Sequence, residues 1–356
     1  MNALIRNTGR ILCAALAAQA LWPVPSAQAR ADQVVPCDTS ALIKAINAVN
    51  AAGGGTITLS SQCDYVLTEP ASTGASGPNG LPVITSDITI LGQGTLISRA
   101  SDAPLFRILE VATTGAVALI NLTLRGGDAG ANSGGGVLLS GGGLALRTST
   151  VENNTAARGG GIANAGGRLT LVDTVVENNQ ARSSVTFTST APVIGTAHRA
   201  HHAPAKRSHI DPAPMTGGSP YQAKARRARG LAAVPAGHGG GIVNAGELKT
   251  IRGRIGANEA RLAGGGVANE KGGTATFRNT TISGNSAGKH GGGLYNAAGG
   301  TSRMISTAIS QNTSNGSGGG VFNHHVAGAV RLSGSTVTAN KADNCAPAGS
   351  VAGCTR

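Results

Sequence analysis

Gly264-Gly265-Gly266-Val267-Ala268-Asn269 returns 27 residues later as Gly291-Gly292-Gly293-Leu294-Tyr295-Asn296, and 27 after that as Gly318-Gly319-Gly320-Val321-Phe322-Asn323. The same phrase (three glycines, an aliphatic residue, any residue, then asparagine) begins at Gly159 and Gly239 and ends at Asn164 and Asn244. A sixth member of this series is Gly134-Gly135-Gly136. The start-to-start steps are 25, 80, 25, 27 and 27. Self-similarity at such a period marks a stacked-repeat architecture.

A second asparagine stands six residues before most triplets: Asn153, Asn258, Asn285 and Asn312, with Asn178 and Asn340 filling that place in their own repeats. Between the asparagines lie short alternating stretches, 169–172, 274–277 and 330–333. Period-two alternation argues strands. Glycine supplies positive φ and close backbone approach, and asparagine suits corners. Three short strands and three corners fill one repeat. The chain therefore reads as all-β: a single right-handed parallel β-helix of about 25–27 residues per turn. Equivalent asparagines, Asn164, Asn244, Asn269, Asn296 and Asn323, would stack into an amide ladder. A narrow core of small aliphatic residues accounts for 2% aromatics beside 55 glycines. Collagen is excluded because glycine does not recur at every third position. A calcium-binding nonapeptide roll is excluded because its Gly-Gly-x-Gly-x-Asp phrase is missing. A glycine-rich linker would lack the regular apolar alternation.

Residues 1–29 read as a signal peptide. Arg6 and Arg10 precede an apolar run at 11–22, and Ala27-Gln28-Ala29 makes a cleavage site. No later stretch is long and apolar enough for a membrane helix. Export to a bacterial periplasm, cell surface or exterior follows as the expectation. Four cysteines remain, Cys37, Cys63, Cys345 and Cys354. An exported chain makes two disulfides the natural reading. Local pairing would pin the two ends, with crossed pairing or free thiols as alternatives. Asp38 or Thr39 can cap a helix carrying Leu42, Ile43, Ile46 and Val49 at helical spacing. Such a helix would cover the open end of a solenoid. The organisation expected is an N-terminal cap at 30–54 and a solenoid at 55–356, with less regular early strands at 56–59, 88–91, 95–98, 106–111 and 117–124.

The 80-residue step contains a segment, 183–237, rich in Ala, Pro, His and Arg. Seven basic residues (199, 206, 207, 224, 226, 227 and 229) face one acid, Asp211, and four histidines cluster nearby. A long loop that binds a ligand, a disordered basic insertion, and two ordinary turns read in a shifted frame are the three readings. The net charge of +13 favours acidic partners, above all an anionic polysaccharide or another cell-surface polymer. Nucleic acid is disfavoured, because no aromatic residues interleave with the basic ones.

Gly284-Asn285-Ser286-Ala287-Gly288 matches the Gly-x-Ser-x-Gly of serine hydrolases, but a nucleophile elbow needs a long strand before it and a helix after it. Here it is one repeat's version of a recurring corner. The carboxylates offer a better test. Glu152 and Glu177 are 25 residues apart and should stack on neighbouring turns, with Asp173 in the latter turn and Arg158 and Arg182 repeating at 24. Clustered acids beside a base could cleave a polyuronate or hold calcium. The competing reading is a solvated row of corner residues with compensating charges.

The glycine phrase, the Asn-Asn, Asn-Ser and Asn-Thr corners, and the opening Leu42-Ile43-Lys44-Ala45-Ile46-Asn47 ahead of Gly55-Thr56-Ile57-Thr58-Leu59 resemble those of secreted bacterial right-handed parallel β-helix repeat proteins. These are related loosely to the polymorphic outer-membrane-protein repeats. The resemblance implies the architecture and transfers no catalytic residue, because one fold carries lyases, hydrolases, adhesins and inert surface proteins. The function expected is a secreted or surface-associated, adhesin-like solenoid that binds a glycan or a cell-surface partner without catalysis and without a cofactor. The alternative is a polysaccharide lyase or glycoside hydrolase using the 152–182 stripe, under which calcium would enter.

Overall fold

The computed structural model describes residues 31–182, 235–324 and 329–354. The expected signal peptide and most of the basic insertion lie outside them. The chain forms an all-β parallel solenoid of the right-handed kind, about 10 turns long, with one helix. Seventeen strands make one long sheet, eight a short sheet and five a third sheet. Each regular coil contributes two strands to the long sheet, two residues to the third, and three to the short one. Gly143–Arg147, Thr150–Glu152, Thr155–Ala156 and Ile162–Asn164 form one such coil. Each strand pairs in parallel register with its equivalent on the next coil, as in Leu169↔Leu248 and Ile242↔Val267.

The alternation seen in the sequence is the wall of this tube. Leu144, Leu146, Leu169, Leu171, Leu248, Ala275 and Phe277 point inward and are buried, while their neighbours face out. Between the two long-sheet strands of a coil, and again after the second, the backbone turns through left-handed residues. Thr148, Asp173, Arg252, Asn279 and Ser306 occupy the first corner (φ 48–54°), and Asn153, Asn178, Ala257, Gln311 and Ala339 the second (φ 53–58°). The first glycine of each of the six repeating triplets is also left-handed, with φ 59–71°. The second has no room for a side chain: a Cβ on Gly240 would lie 2.4 Å from the Gly265 carbonyl oxygen.

The sheet begins earlier than residue 55. Ala31–Val35 already pairs with Gly54–Leu59. The helix Thr39–Ala51 follows, and Leu42, Ala45, Ile46 and Val49 are its buried face. Asp38 caps it by accepting from the Ser40 amide at 2.7 Å. The hydrogen bonds from Ser40, joined by that from Ala41, hold the Asp38 carboxyl below its usual range. Cys37 is bonded to Cys63 and Cys345 to Cys354, with Cα atoms 5.6 and 6.3 Å apart. The early strands are longer than the sequence suggests, Asp87–Arg99 and Ala116–Arg125, with a bulge between Leu91 and Thr95. Phe106 lies outside the strand Leu109–Val111 and in the core.

Two asparagine ladders run along the tube. Asn164, Asn244, Asn269 and Asn296 each donate from Nδ2 to Oδ1 of the next, ending on Asn323, at 2.7–3.0 Å. The second ladder is Asn154, Asn179, Asn258, Asn285, Asn312 and Asn340, at 2.9–3.0 Å. Asn154 and Asn179 hold these places, not Asn153 and Asn178, because they stand two residues before the paired Ala156 and Ala181, as Asn258 does before Ala260. Asn153 and Asn178 take the left-handed corner instead.

The first ladder is continuous across the insertion: Asn164 bonds Asn244 directly. The coils on either side are therefore adjacent, and Arg158 pairs with His238. Residues 183–234, on which the three readings of the 80-residue step turn, lie outside the described ones.

Candidate functional site

In each of the seven three-residue strands of the short sheet the first and third residues point inward and the middle one faces out. The outward row runs Glu110, Leu138, Ala163, Val243, Ala268, Tyr295, Phe322 in register. Its central members form an apolar cluster separate from the main core, comprising Leu138, Ala163, Val243 and Ala268 with Ala165, Ala245 and Tyr295 packed on it. The row is walled on both sides and its central members Leu138, Ala163, Val243 and Ala268 are buried, so it meets solvent at the half-buried Tyr295 and Phe322. A Cβ on Gly159 would meet Val243 Cγ1 at 2.8 Å.

One wall is the column before each glycine triplet: Arg158, His238, Ala263, His290 and Ser317. The other wall follows the ladder asparagines: Ala165, Ala245, Glu270, Ala297 and His324. His238 Nδ1 meets Glu270 Oε1 at 2.8 Å across the groove, with both side chains about nine-tenths buried. Tyr295 lies edge-on to His238, ring centres 5.4 Å apart, and parallel to Phe322 at 5.7 Å. His290 stacks on Phe322 at 4.4 Å and its Nδ1 is 3.0 Å from Ser317 Oγ. His324 closes the cluster, 6.4 and 6.1 Å from the Tyr295 and Phe322 rings.

Burial, with Lys289 and His324 nearby, pushes the His290 imidazole below its ordinary range, so it is neutral at pH 7. Burial and Glu270 push the Tyr295 phenol up, so it keeps its proton. A half-buried aromatic pair beside fixed donors and acceptors can stack the apolar face of a sugar ring and bond its hydroxyls.

This concentration is not an accident of composition. Tyr65, Phe106 and Phe277 are buried in the core. Tyr295 and Phe322, the other described tyrosine and phenylalanine, sit side by side here, as do all three described histidines. The sequence carried a signal for it. Tyr295 and Phe322 take the free position of the glycine phrase on consecutive repeats, and His238 and His290 precede the triplet. What was missing was the direction in which those positions point.

At the far end of the same row, Glu110 is buried with Arg107. Arg107 Nη1 donates to Asn79 Oδ1 at 2.7 Å and to Glu110 Oε2 at 3.4 Å, and Nη2 donates to the Ser76 carbonyl at 2.5 Å. Glu110 also accepts from Asn79 and Ser140. These bonds pin the antiparallel hairpin of Ser72–Gly74 and Gly77–Asn79 to the tube.

The carboxylate stripe lies elsewhere, on the long sheet. Glu152 and Glu177 are directly paired. Arg125 Nε approaches Glu152 Oε1 at 3.7 Å, and Arg254 bonds Glu177. Arg252 grips Asp173 through two bonds of 2.7 Å. That hydrogen bond holds the Asp173 carboxyl below the usual carboxylate range and raises Arg252. A general acid requires a carboxyl shifted the other way. The stripe has the geometry of a cross-coil ion-pair ladder. Arg158 and Arg182 do not stack on each other: Ala156 pairs with Ala181, so Arg182 falls opposite Ala157, while Arg158 pairs with His238. Among the described residues no three of His, Cys, Asp and Glu converge on a metal position, and no helix is long and apolar enough to cross a membrane.

No protein-family model matches the sequence, and no curated protein matches it. Among solved structures, the chain is similar to the A-module of the Azotobacter vinelandii mannuronan C-5 epimerase AlgE6. The match has 17% identity and a TM-score of 0.29, and covers 85% of this chain and 90% of that one. At that score the likeness adds nothing to the fold, which stands on the strand registers and asparagine ladders.

Proposed function

We propose that this chain is an exported β-solenoid that binds a glycan in the groove of the short sheet, with Tyr295 and Phe322 as the stacking platform. The carrying observation is the convergence of outward-facing aromatic residues and histidines on one strip of a chain otherwise nearly devoid of aromatics. The two disulfides support an oxidising compartment, where such polymers lie.

The test is binding of the purified protein to an array of neutral and acidic polysaccharides, with wild type beside a Tyr295→Ala/Phe322→Ala variant. Loss of two stacking side chains should weaken the preferred polymer at least about tenfold. Equal binding by both proteins would remove the groove from the function.

A second reading, lyase or hydrolase action on an acidic polysaccharide, is favoured by one feature, the buried His238–Glu270 pair against the Tyr295 hydroxyl-bearing ring. There His238 would be the base, oriented by Glu270, and Tyr295 the proton donor. Appearance of unsaturated products or new reducing ends, abolished in His238→Gln, would replace the binding reading with this one.

A further inference from the structure

We infer that the third sheet carries a second, separate binding groove that takes a uronate-bearing oligosaccharide, with Arg261 as its carboxylate anchor. The groove has a volume of about 460 Å³ and opens on a different face from the aromatic strip. Its floor is four of the five two-residue strands of that sheet, paired in register from Gln180–Ala181 to Thr313–Ser314. The second residue of each strand is small and buried: Ala156, Ala181, Ala260, Ala287 and Ser314. The tube wall is therefore thin there, and the flanking positions stand out as two columns.

The first column is polar and neutral except at one point: Gln180, Glu259, Ser286, Thr313. The second begins with Arg182 and Arg261 and continues with Gly288 and Asn315. Gly288 packs directly against the Arg261 backbone, where a Cβ would lie 2.0 Å from the carbonyl oxygen. Arg182 donates to Gln180 Oε1, and Gln180 Nε2 donates to Glu259 Oε2 at 3.4 Å. The acid is thus engaged by a neutral amide.

Arg261 is different. Among the described residues its exposed guanidinium makes no hydrogen bond and no ion pair. Arg252 and Arg254, one coil-face away, are each matched to a carboxylate on the neighbouring coil. An exposed guanidinium without a partner, at the rim of a hydroxyl- and amide-lined groove, presents the planar fork that receives a carboxylate through two bonds.

Coils repeat every ~4.8 Å along the tube, close to the length of one pyranose unit. A chain of sugars lying along the axis would therefore meet one coil per unit. Arg182 and Arg261 stand on adjacent coils and would take carboxylates of consecutive uronates. Ser286, Thr313 and Asn315 would bond hydroxyls further along. This site does not depend on the aromatic strip, and the two can fail separately.

The experiment is fluorescence anisotropy with two end-labelled probes, a uronic-acid hexasaccharide and its carboxyl-reduced neutral counterpart. The proteins are wild type, Arg261→Gln, Arg182→Gln/Arg261→Gln, and Tyr295→Ala/Phe322→Ala. Arg261 is exposed, so its substitution leaves folding intact, and thermal unfolding of each variant checks this. Wild type should prefer the charged probe. Arg261→Gln should weaken that probe about five- to tenfold and the double arginine variant further, with the neutral probe unchanged. The preference should also shrink with added salt. Two results overturn the inference: no preference for the charged probe by wild type, or charged-probe affinity unchanged in both arginine variants. Loss confined to the Tyr295→Ala/Phe322→Ala variant would overturn it while leaving the aromatic groove in place. The reverse pattern would uphold it and remove the aromatic groove.

Discussion

Ala257 shows how far a single residue can depart from what its position asks for. The corner before the second asparagine ladder requires φ of 53–68° on coil after coil, supplied by Asn153, Asn178, Ala257, Gly284, Gln311 and Ala339. In that region a Cβ crowds the following carbonyl oxygen, a strain of roughly 1 kcal/mol that glycine escapes and asparagine lessens by local bonding. Gly284 and the two asparagines fit; Ala257, exposed and without a polar side chain, does not. Ala257→Gly should therefore raise the unfolding free energy by about 0.5–1 kcal/mol, despite glycine's greater freedom in the unfolded chain. Ala257→Val should lower it, because a β-branched residue tolerates the left-handed region worst. Chemical denaturation followed by circular dichroism separates the two, and an Ala257→Gly protein less stable than wild type would show that the corner is not under strain.

At the scale of an element, the sequence announced the ladders and strands more clearly than the groove. Asn164, Asn244, Asn269, Asn296 and Asn323 stand at fixed offsets from a glycine triplet, so their equivalence is written in spacing alone. A hydrogen bond one residue out of phase is not. Asn153-Asn154 offers two candidates for one place, and the pairing Ala181↔Ala260, which sets Asn179 against Asn258 one coil on, decides between them. The partners of the carboxylate stripe were hidden for a similar reason. Spacing brought Glu152 onto Glu177, but Arg125, Arg252 and Arg254 come from neighbouring coils, and no spacing rule shows which corner residues turn toward one another. The ladder itself is buried, and each member bonds at both ends. Asn269→Ala removes the acceptor used by Asn244 Nδ2 and the donor that reaches Asn296 Oδ1. Asn244 keeps the Gly246 and Thr274 carbonyls, and Asn296 keeps Ser302. The expected loss is about 1–3 kcal/mol, the cost of leaving buried amide groups short of partners. Asn323→Ala, at the ladder's end, should cost less. Equal losses at the two positions, read from denaturation midpoints at unchanged slope, would mean that the ladder acts as separate bonds.

For the whole molecule, the question is whether the basic insertion belongs to the tube. A solenoid coil is stabilised by its two neighbours, so a segment interrupts it harmlessly when its entry and exit lie where one coil would have continued. Here they do. Arg182 N bonds the Ala156 carbonyl, Gly237 N bonds the Ala157 carbonyl, and Leu262 N bonds the Gly237 carbonyl. Deleting 183–236 joins Arg182 to Gly237 and leaves Ala181-Arg182-Gly237-His238-Gly239, equal in length to Ala260-Arg261-Leu262-Ala263-Gly264 on the next coil. The shortened chain should fold to the same solenoid, with a single cooperative thermal transition within a few degrees of wild type, since the described coils on either side already pair directly with each other. It also separates the sources of affinity. Seven basic residues leave with the segment, so binding of an anionic polymer that resides there would vanish along with its salt dependence. Binding through Tyr295, Phe322 and Arg261 would persist. A broadened or lowered transition in the deleted protein would instead make the insertion part of the scaffold, because joining two ends already held by Ala156 and Ala157 adds no strain of its own.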